Sequence, residues 1–335
     1  MKKKWWLVLS IMVLTISLIL PLTSCKKKQQ NQQEPEDQIA YEFVEGSTIY
    51  IKMGTYPQTI AKDVTVSEIK ENGTYSEKTG YYTYNGNEYK IIKANPCTQD
   101  MTPTFSNGEV AVKDKEYAFL VEPIIWKIIN KALKEEYYFA YSNCILDTSI
   151  YQKQENIGSN TSGVINYYLY DENHKLLEEE EIYANNWINS VLRQNLIKFY
   201  DVAFTDANKS AIKVAKISNS SPNSGKNYFP SHQQDSDEFC FVLSSSEAQK
   251  SKYGYTTEDK TNRLRKVTDY AVANGVFCLK LKDDNYYGWA WTRTAGTSSN
   301  NVYIIDTQGN LDTTLIADDS NLKVGYAPAM YLTII

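Results

Sequence analysis

The first forty residues are expected to stay out of the fold, which leaves the rest of the chain to build any core. Lys2-Lys3-Lys4 leads into an apolar run from Trp5 to Leu20 and then Pro21-Leu22-Thr23-Ser24-Cys25. That is the order of a basic n-region, an h-region and a small-residue cleavage site, so residues 1–24 read as a signal peptide. The alternative is a spanning anchor. A span needs about 20 apolar residues, and this run is stopped by Pro21 and followed at once by Lys26-Lys27-Lys28. Residues 25–40 read as a tether, because Lys26 to Gln38 is Gln-rich, contains Pro35 and holds no apolar side chain to bury. A flexible chain of about a dozen residues reaches roughly 20 Å. Residues 41–335 remain for a folded domain.

The N-terminus resembles that of bacterial lipoproteins, which implies a diacylglycerol on Cys25 and acylation of its amine. More than one acyl chain makes such attachment stable. The expected location is the cell envelope outside the cytoplasm, with the membrane as a partner through the lipid on Cys25.

The chain carries a net charge of −5, three units more negative once Lys2, Lys3 and Lys4 are gone. With no basic block beyond the tether, nucleic acid is excluded as an expected partner. Hydrophobic residues make up 42% and tyrosine occurs 27 times, enough for a large core. Apart from Cys25, the cysteines are Cys97, Cys144, Cys240 and Cys278. An even number permits disulfides in an oxidising compartment, yet Cys144, Cys240 and Cys278 each lie in an apolar stretch, where a free cysteine acts as a small core residue.

Strand signals dominate. Thr48 to Met53 alternates, and Tyr81–Tyr84 and Glu88–Ile92 flank Asn85-Gly86, a pair suited to a type I′ hairpin turn. Further strands are expected at Tyr117–Val121, Ile124–Ile129, Tyr137–Tyr141, Glu238–Leu243, Val276–Leu281, Gly288–Arg293, Val302–Asp306 and Ala327–Ile334. Ile188, Val191, Leu192, Leu196 and Phe199 fall on one helical face, with Asn185 or Asn186 as N-cap and Glu178–Glu181 as a solvated start. Shorter helices are expected at Asp206–Val214, Ser246–Tyr253 and Asp269–Asn274. Strands interspersed with a few helices predict a mixed α+β domain.

Chemical motifs are scarce. The two histidines, His174 and His232, sit in polar stretches, and no paired-histidine or CxxC spacing offers a zinc site. No phosphate loop or G-x-S-x-G elbow occurs. His232 with Asp235 or Asp237 reads as ordinary loop polarity, and Asp283-Asp284-Asn285 and Asp318-Asp319-Ser320-Asn321 read as turn chemistry in place of calcium ligands. No cofactor is expected. Trp289, Trp291 and Arg293 would share one face of a strand; Trp291 reads as core, and Trp126 and Trp187 likewise.

Several segments together resemble a bacterial family of domains of unknown function, often carried on lipoproteins. They are Met53-Gly54-Thr55-Tyr56-Pro57-Gln58, Pro123 to Lys127, Ser142 to Asp147, the helix from Trp187 to Leu196, Phe241 to Ser244 with Glu247-Ala248, Thr268-Asp269-Tyr270-Ala271, Trp291 to Gly296, and Gly325 to Leu332. The resemblance implies a C-type-lectin-like fold, similar to the variable proteins of diversity-generating elements. Where the family has arginine before the last proline, this chain has Ala327, and the calcium-dependent sugar signatures of animal lectins are absent.

The expectation is therefore a non-catalytic, membrane-anchored module binding a glycan or a protein. Its surface would be formed by Tyr287, Trp289, Asn300, Asn301, Tyr303, Asp312, Asp319 and Asn321. Tyrosine and asparagine are what adaptable recognition surfaces use. The rivals are an enzyme on a formylglycine-generating-like scaffold and a structural surface-coat protein.

Overall fold

The computed structural model is organised around one long strand. It describes residues 40–99, 102–132, 136–159, 167–177, 182–219, 234–256, 258–281, 283–313, 317 and 323–333; the signal, Cys25 and most of the tether lie outside these. Among the described residues, no helix is long and apolar enough to cross a membrane.

The first strands are β1 (Tyr41–Glu45), β2 (Thr48–Ile60), β3 (Thr74–Ser76), β4 (Tyr81–Tyr84), β5 (Asn87–Lys93), β6 (Glu116–Ala132) and β7 (Tyr137–Ser142). β6 is 17 residues long. One of its edges carries β2, and the other carries β5 at its start and β7 at its end. A strand shared in this way bends, and bulges in the β2–β6 ladder between Lys52 and Thr55 and between Pro57 and Ile60 add to the curvature. The result is a curled, half-barrel sheet of nine strands. Ala329–Thr333, the last strand, lies between β7 and Ile212–Lys213.

Two short strands, β8 (Cys144–Ile145) and β9 (Asp147–Ser149), lead from the large sheet into two smaller ones. β8 joins Lys266–Val267, Tyr286–Gly288 and Cys278–Lys280. β9 joins Val324–Tyr326, Ala290–Ala295, Val302–Ile305 and Leu311–Asp312. The helices are α1 (Val66–Asn72), α2 (Val191–Ala203), α3 (Asp206–Ala211) and α4 (Asp269–Asn274). α2 buries Leu192, Leu196, Phe199 and Ala203 in the main core.

The expected α+β fold of C-type-lectin-like type is overturned: the chain is 43% strand and 18% helix, predominantly β. The helical spacings are real but short. α3 stops at Ala211 because Ile212 enters the sheet, and Ser246–Tyr253 breaks into two 3₁₀ turns before Gly254. Meanwhile the strands expected at Tyr117–Val121 and Ile124–Ile129 fuse through Pro123. That proline is tolerated because it faces the β2 bulge, where the ladder is already irregular.

Smaller corrections follow the same logic. Ser190, rather than Asn185 or Asn186, caps α2, its hydroxyl accepting from Arg193 N at 3.0 Å; the expected start at Glu178–Glu181 lies outside the described residues. Ser236–Glu238 is the strand, and beyond it Phe241 makes only a lone bridge to Ala329. Trp289 interrupts the strand expected at Gly288–Arg293, its N–H donating to Phe277 O at 3.0 Å. The hairpin turn does form, with Asn85 at φ 50 and Gly86 at φ 78.

Candidate functional site

A cavity of about 300 Å³ opens where β2, β9, α2 and α4 meet. Its geometry begins at Gly54. The residue has φ +70, and a Cβ there would stand 2.6 Å from the Phe204 ring and 2.7 Å from Ala203 O, so only glycine lets β2 bulge against the end of α2. Two residues later Tyr56 is buried against Phe199, with ring centroids 5.1 Å apart. α2 contributes Asn195, Lys198, Phe199 and Val202, spaced so that they share one helical face. Tyr270 comes from α4, and Tyr326 from the strand directly paired with Asp147.

Asp147 is the chemical centre. Its Oδ2 accepts from Tyr56 OH at 2.8 Å, and its Oδ1 accepts from Thr148 N at 2.7 Å and Asn274 Nδ2 at 2.8 Å. The Tyr326 hydroxyl lies 3.5 Å from that of Tyr56. Burial pushes the Asp147 carboxyl up to about 6, although these donors pull the other way. Burial first, and the Asp147 charge second, hold the Tyr56 and Tyr326 phenols well above their ordinary range, so both stay protonated. Among the described residues no lysine or arginine forms an ion pair with Asp147.

Two further groups stand out. Tyr81 is 3% exposed, yet its hydroxyl has no hydrogen-bond partner among the described residues. Lys90 reaches in from β5, donating to Gly80 O at 3.2 Å. Burial lowers its pKa, with the Asp147 charge opposing.

The surface expected from the sequence is assembled differently. Tyr287 donates to Asp283 Oδ2 at 2.7 Å within a turn, and Trp289 packs on Phe277 with ring centroids 4.4 Å apart. Asn300 and Asn301 come together in one connection: Asn300 O accepts from Ala317 N at 2.7 Å, and Asn301 Nδ2 donates to Thr313 O at 2.7 Å. Asn185 Nδ2 fastens that connection from below, donating to Ser298 O and Asn301 O. Tyr303 and Asp312 are half-buried on adjacent strands of the five-stranded sheet, while Tyr287 belongs to the four-stranded one. Asp319 and Asn321 lie outside the described residues.

Trp291 is core, donating from Nε1 to Ser149 O at 2.7 Å. Arg293, on the same strand, is locked to Glu247 by bonds of 2.6 and 2.8 Å. Cys97, Cys144, Cys240 and Cys278 are all free thiols. Asp283 is engaged by Asn285 and Tyr287 as a turn residue, as its sequence context implied. Among the described residues no cluster of histidine, cysteine, aspartate and glutamate could hold a metal ion; His232 lies outside them.

The cavity was missed because tyrosine is so abundant. Only Asp147 carried a signal, a carboxylate closing the apolar run Cys144-Ile145-Leu146. Tyr56, Asp147, Asn195, Tyr270 and Tyr326 nevertheless each come from a segment that carries the family resemblance.

These features define a predominantly β protein with a tyrosine-walled cavity around a buried carboxylate. Residues 164–334, just over half of the chain, match the domain of unknown function DUF6273, and the chain belongs to that family. No curated protein and no solved structure matches it.

Proposed function

We propose that this chain is a lipid-anchored binding module of the cell envelope, non-catalytic, whose ligand enters the cavity at Asp147. The observation that carries the reading is a carboxylate without an ion pair, ringed by aromatic walls in a pocket of about 300 Å³. Concave, mostly apolar sites with a few converging polar groups are what small ligands occupy. Among the described residues Asp147 is the one carboxylate in the lining, whereas glycoside hydrolysis commonly uses two; this favours binding over that chemistry.

The test is ligand-induced stabilisation of the full chain in detergent, screened with saccharides, amino acids, polyamines and organic acids. Ligand at 100 times its Kd should stabilise by about 2.7 kcal/mol. Val202→Trp, which fills the cavity from α2, should abolish the shift while leaving the unliganded protein folded. A hit whose shift survives Val202→Trp would place binding elsewhere and sink the proposal.

The anchor has its own test. Cys25→Ala should leave an uncleaved or soluble form, because only the thiol can take the thioether lipid. A peptide containing both Trp5 and unmodified Cys25, found by mass spectrometry in mature membrane protein, would end that part of the reading.

A further inference from the structure

We infer that the cavity takes a small zwitterion, an α-amino acid or short peptide, with its ammonium group at Asp147 and its carboxylate at Lys90 and Lys198. This rests on the cavity being the binding site. The first ground is what Asp147 still has to offer. Thr148 N and Asn274 Nδ2 occupy one oxygen, and the Tyr56 hydroxyl donates to the other. What remains is the negative charge, with no cation paired to it among the described residues.

The second ground is the wall. The rings of Tyr56, Phe199, Tyr270 and Tyr326 surround that charge, and aromatic faces attract cations. The Tyr56 hydroxyl donates to Asp147, so its oxygen is left as an acceptor for an ammonium. Tyr81 adds a buried hydroxyl with no partner among the described residues. The inner end of the cavity is thus electron-rich throughout.

The third ground is the opposite pole. Lys90 is half-buried and Lys198 exposed, so positive charge lies toward the mouth, and neither lysine has a carboxylate partner among the described residues. A plain cation would meet repulsion from these lysines, and a plain anion would meet Asp147. A molecule carrying both charges a few bonds apart satisfies both ends, and about 300 Å³ accommodates one or two residues.

Titration calorimetry of the full chain in detergent decides it, using the free amino acids and Ala-Ala, each compared with its N-acetylated and C-amidated forms and with glucose and galactose. The expected result is that at least one free zwitterion binds, that either blocking group weakens it tenfold or more, that Asp147→Asn does the same, and that Lys90→Met with Lys198→Met removes the preference for a free carboxylate. Affinity should also fall as the pH drops below about 6, where Asp147 gains a proton. Blocked forms binding as well as free ones, or a sugar filling the cavity in their place, would overturn the inference while leaving the binding site standing. Heat from no probe in the wild-type chain would overturn it too, and a hit of any class whose binding survives Val202→Trp would overturn the site itself.

Discussion

Replacing Glu247 by alanine should cost about 3–5 kcal/mol, because it strands the Arg293 guanidinium in the core without its charge partner. Arg293 is 2% exposed. It donates to both Glu247 oxygens, to Val242 O at 2.8 Å and to Ser218 O at 3.3 Å, and its guanidinium lies over the Phe241 ring. Glu247 also accepts from Ser244 N at 2.8 Å. Burial pushes the Glu247 carboxyl up, but the Arg293 charge and these bonds prevail and hold it below the ordinary range. A depressed carboxyl contributes its stability above the unfolded value of about 4.3 and loses it as the pH falls through the folded value. Chemical denaturation at pH 7 should therefore separate wild type from Glu247→Ala widely, and the gap should narrow in acid. The double change Glu247→Leu with Arg293→Met should recover much of the loss, since apolar replacement of a buried pair is often neutral. A single Glu247→Ala variant as stable as the parent would show that the pair is not the clamp described.

The second large effect is at the tryptophans. Trp126 and Trp187 are fully buried, and truncating a buried tryptophan to alanine costs roughly 3–5 kcal/mol. Trp126 donates to Met53 O at 2.8 Å, just before the Gly54 bulge, and lies against Phe204. Trp187 donates to Glu238 Oε1 at 3.2 Å, the same oxygen that takes Arg193 Nε at 2.6 Å. Trp126→Ala should thus loosen the bulge that aims Tyr56, whereas Trp187→Ala should loosen the entry to α2. Urea midpoints for both variants, compared with wild type, check the expectation. Trp126→Ala unfolding at the parental midpoint would mean that the ring is not holding β2 to β6.

These residues show where the sequence was legible. Alternation and tyrosine-rich runs located β2, β4, β5, β6 and β7 but not β1, β3, β8 or β9, the Asn85-Gly86 turn formed as expected, and the buried tryptophans followed from their apolar neighbours. Helical periodicity named the right residues but overstated their share, because spacing cannot reveal where a neighbouring strand will capture the chain, as happens at Ile212. The two strands expected at Tyr117–Val121 and Ile124–Ile129 are one, since a bulge on the partner strand cannot be read from the strand that holds Pro123. The site was least legible. Tyr56, Asp147, Tyr270 and Tyr326 are far apart in sequence and meet only through the tertiary fold, while Ser298, Asn300 and Asn301 bond to one another and to Asn185, Thr313 and Ala317.

The position of the last strand has a consequence for how the molecule is made. Ala329–Thr333 fills a slot between β7 and Ile212–Lys213, so the large sheet stays open along β7 until Thr333 has been synthesised. Pairings of such long sequence separation form slowly, and an unfilled strand edge invites pairing with other chains. Holding the polypeptide unfolded until synthesis has passed Thr333 would suit it better than stepwise folding of the earlier strands. By the same reasoning a fragment limited to residues 164–334 would lack the β7 edge on which its final strand closes, and it should aggregate where the full chain folds.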